Sequence, residues 1–146
     1  MLLLGMAFNI EEKIKLASIF SKIIRGEIPC HKIGEDENFI CFLDISPIRR
    51  GHALVVPKLE KDYLFDHTDE LLAKMLPFSK KMACAIKKVV PCERIGLSVL
   101  GLEVPHTHIH LVPIRHGHLI DFSKSRPAPS EELKALAEAI SLELAK

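Results

Sequence analysis

Along the first part of the chain, apolar residues Ile10, Ile14, Ala17, Phe20, Ile23 and Ile24 recur at helical spacing, with Leu16 and Ile19 widening the stripe. Asn9 and Glu12 form a capping-box pattern ahead of it, and Gly26 and Pro29 end it. Two short runs of strand character follow, around His31–Gly34 and Phe39–Leu43, with the polar Glu35-Asp36-Glu37-Asn38 between them as a hairpin turn. Beyond turns at Ser46-Pro47 and Arg49-Arg50-Gly51, His52–Val56 reads as a third strand stopped by Pro57. A long helix is predicted from about Asp69 to Val90, carrying Leu72, Met75, Leu76, Met82, Ala83, Ile86, Val89 and Val90 on one side. Pro77 lies inside it and is expected to kink or split it, because proline lacks an N–H and crowds the preceding turn. Arg94–Val99 and Thr107–Ile114 read as two further strands. Arg126-Pro127-Ala128-Pro129 reads as a linker, and Ser130 is expected to cap a last amphipathic helix with Leu133, Leu136, Ala137, Ile140 and Leu144. The order predicts an α+β fold: a five-stranded antiparallel sheet with an N-terminal helix, a long central helix and a C-terminal helix.

Composition removes several functional classes. The length of 146 residues suits one domain, and no internal repeat or low-complexity segment divides it. Twenty basic against nineteen acidic residues leave a net charge of +1, which gives no bulk electrostatic case for nucleic acid or an anionic membrane. No apolar run approaches the roughly 18–20 residues of a membrane helix. Leu2-Leu3-Leu4 is followed too soon by Asn9, Glu11 and Glu12 to make a signal peptide. The four cysteines, Cys30, Cys41, Cys84 and Cys92, include no C-x-x-C pair, which suggests reduced thiols in a cytoplasmic protein. No strand is followed by a glycine-rich phosphate loop. Gly96-Leu97-Ser98-Val99-Leu100-Gly101 misses the spacing of a nucleophile elbow.

The chemistry concentrates in Val104-Pro105-His106-Thr107-His108-Ile109-His110-Leu111-Val112-Pro113. Three of the eight histidines fall there at alternate positions. In a strand such positions share one face, so His106, His108 and His110 should form a row while Thr107, Ile109 and Leu111 face the other way. Imidazoles are costly to bury without partners, which argues against a row that merely fills a core. An accidental His-rich surface strand is the plainest alternative. A metal site is another, with His108 and His110 as two ligands and His52 or Asp44 as a third, although a row about 13 Å long does not close easily on one ion. Covalent catalysis is the third: a neutral imidazole is a competent nucleophile towards phosphorus near pH 7. The residues alone leave catalysis and metal binding both open.

The same segment resembles the signature of the histidine triad superfamily of nucleotide hydrolases and transferases. The resemblance extends to Ser18-Ile19-Phe20-Ser21-Lys22-Ile23-Ile24-Arg25-Gly26-Glu27-Ile28-Pro29, to Asp44-Ile45-Ser46-Pro47, and to Gly51-His52-Ala53-Leu54-Val55-Val56-Pro57-Lys58. These blocks span about 18–114 in the family's order, so 1–146 reads as one such domain with 115–146 as an extension carrying a helix from about 130. The resemblance is closest to the Hint-like branch of purine nucleoside phosphoramidases, whose members form homodimers with a sheet continuous across the interface. It implies His108 as the nucleophile that forms a nucleotidyl-histidine intermediate. It implies His110 as the residue at the phosphate and leaving group, and His106 and His52 as supporting histidines. It further implies Asp44 at the ribose hydroxyls, where the plain alternative is a turn organised by its own side chain. Phe20, Ile23, Phe42 and Ile45 match the lining of the purine slot.

Departures from the family pattern narrow the expectation. The family's Gly-Gln-x-Val-x-His run is here Gly101-Leu102-Glu103-Val104-Pro105-His106; the chain has no glutamine, and its only asparagines are Asn9 and Asn38. Ser98 is the nearby polar side chain that could substitute, and Gly101 keeps the loop's glycine. Where some relatives bind zinc through Cys-x-x-Cys, this chain has Ser18 and Ser21, so no such zinc and no cofactor is expected. The branch's Trp-Pro-Pro-Gly end is missing. The expected activity is metal-independent hydrolysis of a phosphoramidate or related bond at the α-phosphate of a purine nucleotide. The alternatives are cleavage of dinucleoside polyphosphates, a nucleotide-binding regulatory module with little turnover, and a metallohydrolase built on His108 and His110. Arg49 and Arg50 read as a solvated turn, the lysines at 80, 81, 87 and 88 as a solvated helix face, and Cys41 as a small core residue.

Overall fold

Alternation along the strands decides which element covers each face of the sheet. In the computed structural model, which describes residues 19–146, the strands lie in the order β1-β2-β3-β5-β4, every pair antiparallel. They are β1 (Lys32–Glu35), β2 (Phe39–Leu43), β3 (Ala53–Pro57), β4 (Arg94–Ser98) and β5 (Ile109–Ile114). The helices are α1, of which residues 19–24 are described, α2 (Asp69–Val89) and α3 (Ser130–Leu144). The α+β architecture read from the sequence is therefore borne out; the stripe and cap expected from Asn9 to Ala17 lie outside the described residues.

Phe39, Cys41 and Leu43 of β2, Ala53 and Val55 of β3, and Ile109 and Leu111 of β5 face one way. They pack with Met75, Phe78, Met82 and Ile86 of α2 and Leu133, Leu136, Ala137 and Ile140 of α3. The intervening Ile40, Phe42, Leu54 and Val56 face the other way and meet Phe20, Ile23 and Ile24 of α1. Period-two patterning with apolar residues at both parities produces this doubly covered sheet, and β2 and β3 are buried along their whole length. His110 lies opposite Leu54 on β3 and Ser98 on β4, so the histidine face is the face that α1 covers.

Several boundaries differ from the sequence reading, each for a local reason. Pro77 does not split α2, which runs unbroken from Asp69 to Val89, because Phe78, Ser79 and Met82 are buried beyond it and tertiary packing outweighs one missing bond. Thr68 caps α2 by accepting from the Leu71 N–H at 3.2 Å. The cap of α3 is Pro129 without a side-chain bond, and Ser130 is its first helical residue rather than its cap. Strand β5 begins at Ile109, not Thr107, because the Thr107 N–H and hydroxyl both bond the Lys61 carbonyl, at 2.7 and 2.8 Å, instead of a neighbouring strand. The expected linker is pinned: Arg126 N–H donates to the Pro47 carbonyl at 3.2 Å and Ala128 N–H to the Ile45 carbonyl at 3.1 Å. Gly26 ends α1 with φ +78°, a left-handed conformation that glycine adopts without steric cost.

Candidate active site

Three segments converge on the histidine face: the turn 44–52 between β2 and β3, the approach 104–110 into β5, and the segment 115–129 returning towards α3. The turn is tied internally, with Asp44 N–H donating to the His52 carbonyl and His52 N–H to the Arg49 carbonyl, both at 3.0 Å. Gly51 stands at φ +93° just before His52. A Cβ there would come 2.9 Å from Val90 Cγ2 and 3.0 Å from Pro113 Cγ, so the close approach as well as the backbone requires glycine. Arg49, expected in a solvated turn, instead donates from its guanidinium to the Leu119 carbonyl at 2.9 Å, joining the turn to the returning segment.

His52, His106, His108 and His110 are all buried, at 1%, 0%, 7% and 8% exposure. Their hydrogen bonds assign the protons. His52 Nδ1 accepts the Ile48 N–H at 3.0 Å, so the neutral ring carries its hydrogen on Nε2. That Nε2–H points at His110 Nδ1, 3.0 Å away, which must accept and so leaves the His110 hydrogen on Nε2. His108 Nδ1 donates to the His106 carbonyl at 2.7 Å, leaving Nε2 with a free lone pair. His106 Nε2 donates to the Pro57 carbonyl at 2.8 Å. The outcome is a free unprotonated nitrogen on His108 beside a hydrogen-bearing one on His110, with ring centroids 4.9 Å apart; the other partnerless unprotonated nitrogen, His106 Nδ1, is fully buried. That combination can attack an electrophile and donate a hydrogen bond to the charge that develops.

Burial favours the neutral form of His52, His106 and His110. It is the main cause that lowers the pKa of His52 and of His106, each against a smaller opposing influence, from Asp44 on His52 and from the Pro57 bond on His106. His110 is driven from 6.5 to about 3 by burial, helped by the neighbouring His108 and His52.

One ligand atom each from Asp44, His52 and His110 lie within 4.8 Å of one another, which is the spacing of a metal centre. The donor chemistry does not fit one. A ligating histidine normally gives its second N–H to an acceptor, whereas His52 Nδ1 already accepts an N–H from Ile48, which keeps a proton on the Nε2 that would have to ligate. Nor does the expected alternative of His108 with His110 suit one, since the His52 N–H on His110 Nδ1 keeps the His110 hydrogen on Nε2, the nitrogen left to ligate.

The other expected residues divide into those gathered and those not. Phe20 is buried against both His106 and His108, at ring separations of 5.6 and 5.2 Å, and against Phe42 at 6.0 Å. Ile23 packs on the same cluster. Asp44 organises the turn, its Oδ1 accepting the Ser46 N–H at 2.8 Å, while Oδ2 stands 3.7 Å from His52 Nε2. Ile45 is 67% exposed and lies outside the Phe20–Phe42 cluster. Ser98 sits directly across β4 from His110. Gly101 occupies the preceding loop at φ +73°. Ser21 donates to Glu60 at 2.9 Å, and Ser18 lies outside the described residues. Two contributors escaped the sequence reading. His67 donates from Nε2 to Thr107 Oγ1 at 2.9 Å, fixing the residue between His106 and His108 from behind. Phe122 packs on His110 with ring centroids 4.6 Å apart. The available signal for Phe122 was an aromatic residue isolated in a polar loop of a chain only 5% aromatic.

Comparison with known proteins identifies the family and the fold. Residues 25–117 match the family model described as the HIT domain. Protein hit of Bacillus subtilis is 42% identical over 106 residues, covering 68% of this chain and 71% of its own. Adenosine 5'-monophosphoramidase hnt1 of Schizosaccharomyces pombe is 37% identical over 131 residues, covering 86% of this chain and 97% of its own. The crystal structure of a Hit-like protein from Bartonella henselae superposes with a TM-score of 0.75 at 32% identity, covering 86% of this chain and 94% of that one. The chain belongs to the HIT domain family.

Proposed function

We propose that this protein hydrolyses a phosphoramidate or related bond at the α-phosphate of a purine nucleotide, with His108 Nε2 as nucleophile. The observation that carries the reading is the 2.7 Å bond from His108 Nδ1 to the His106 carbonyl, which leaves Nε2 unprotonated and available. Attack on phosphorus breaks the P–N bond and forms a nucleotidyl-histidine; water then displaces His108 and releases the monophosphate. His110 contributes as a neutral donor. Its Nδ1 is held by the His52 N–H, which opposes a second proton there, so Nε2–H stabilises phosphoryl charge by hydrogen bonding and the amine takes its proton from solvent. Phe20, Ile23 and Phe42 offer apolar walls for a base, and Asp44 Oδ2 is the carboxylate oxygen left for ribose hydroxyls. The name of the fission-yeast relative, an adenosine 5'-monophosphoramidase, supports the leaving-group class.

A homodimer paired through β4 belongs to the same proposal. β4 is the last strand of the sheet, with Leu97 46% exposed and Leu100 and Leu102 exposed beyond it. Light scattering at micromolar concentration should read twice the chain mass; a monomer would sink this part.

The test of the chemistry is release of adenosine monophosphate from adenosine 5'-phosphoramidate in EDTA, comparing the wild type with His108→Ala. Release that resists EDTA and falls by roughly 10³-fold or more in the variant is expected. Release that survives the substitution removes His108 as the nucleophile.

A further inference from the structure

Segment 115–129 joins β5 to α3 and is fastened to the turn that carries Asp44 and His52. Its fastenings are Arg49 to the Leu119 carbonyl at 2.9 Å, Arg126 N–H to the Pro47 carbonyl at 3.2 Å and Ala128 N–H to the Ile45 carbonyl at 3.1 Å. Between them Asp121 Oδ1 accepts the Ser123 N–H at 3.0 Å and the Ser123 hydroxyl at 2.6 Å. This caps the short 3-10 turn Phe122–Lys124 and sets the backbone from which Phe122 projects. The ring meets His110 at 4.6 Å and 61°, an edge-to-face arrangement, and stands 6.4 Å from His52.

We propose that Phe122 is a positioning residue that seals the His52–His110 pair from water and so holds His110 as the neutral Nε2–H tautomer. For its kinetic consequence the proposal rests on the hydrolase reading above; the protonation of His110 stands apart from it. The titratable groups facing His110 are His108 from its own segment and His52 and Asp44 from the turn, while Asp121 on the strap is turned to Ser123. A proton arriving on His110 Nδ1 would face the His52 N–H and break the 3.0 Å bond. Water admitted beside the ring would lower the cost of that proton, since burial is the largest influence opposing it. The phenyl ring is an apolar group of the strap in contact with His110.

The experiment follows the His110 ring resonances by NMR against pH in the wild type, Phe122→Leu and Phe122→Ala, with His110→Gln supplying the assignment. Expected is a graded rise in the pH at which His110 protonates, reaching about one unit, a tenfold gain in proton affinity, in the alanine variant. In parallel, the acidic limb of kcat/KM on adenosine 5'-phosphoramidate should move up in the same order, with kcat falling more than KM changes. If the alanine variant does not fold, Phe122→Leu against the wild type decides. Unchanged His110 titration in the folded variants overturns the proposal, as does a uniform loss of activity with no shift of the limb. Absence of turnover in the wild type would count against the hydrolase reading, and the titration would still decide this one.

Discussion

At the scale of single residues, the site depends on which nitrogen carries each proton, and that is settled by backbone groups. The Ile48 N–H and the His106 carbonyl are the two anchors: one makes His52 a donor, the other leaves His108 Nε2 free. Replacing His52 by glutamine removes the ring that orients His110, and kcat/KM should fall roughly 100-fold with KM little changed, a difference steady-state kinetics will read. A comparable loss from KM alone would place His52 in substrate binding instead. His67→Ala should act more mildly, because Thr107 keeps its two bonds to the Lys61 carbonyl.

Elements carry the next level of constraint. α2 contains a proline in its interior and still runs 21 residues, so its stability comes from the buried side at Met75, Phe78, Met82 and Ile86. Pro77 itself is exposed. Pro77→Ala should restore one helical bond and stabilise the fold by about 1–3 kcal/mol, seen as a higher urea midpoint at unchanged slope. Gly51→Ala should do the reverse. It demands a left-handed alanine and pushes a Cβ onto Val90 and Pro113, at an expected cost of about 1–3 kcal/mol, and it displaces His52 with the turn. Activity lost with stability unchanged would contradict that account.

For the whole molecule, burial of neutral histidines links stability to pH. His52, His67, His106 and His110 are all lowered, chiefly by burial. Below the ordinary value of 6.5 the unfolded chain protonates these rings while the folded chain does not, so the unfolded state binds more protons and stability falls as pH falls. For His110 that window extends down to about pH 3. Each such ring contributes a slope of up to about 1.36 kcal/mol per pH unit. Urea unfolding at pH 7 and pH 5, at one protein concentration, should show a clear drop in midpoint; equal midpoints would mean that these rings are hydrated in solution.

Much of the architecture was legible before any coordinates, because it is local. Phe39–Leu43 reads as a strand because its five apolar residues are too few for a helix and turn residues bound it. The odd and even positions of the His106–Leu111 segment separate onto opposite sides even where the ladder stops short of His108. What the sequence by itself determined, then, was the strands, the helices and the side of the sheet that bears the imidazoles. The bond between His52 and His110 joins residues 58 apart, and whether Arg49 is solvated or Phe122 meets an imidazole depends on where two distant segments cross. Pairings of that kind follow from strand order and chain return, which no local pattern encodes. Tertiary structure alone decided the tautomers, and with them which nitrogen is free to react and why three nearby donors do not make a metal site.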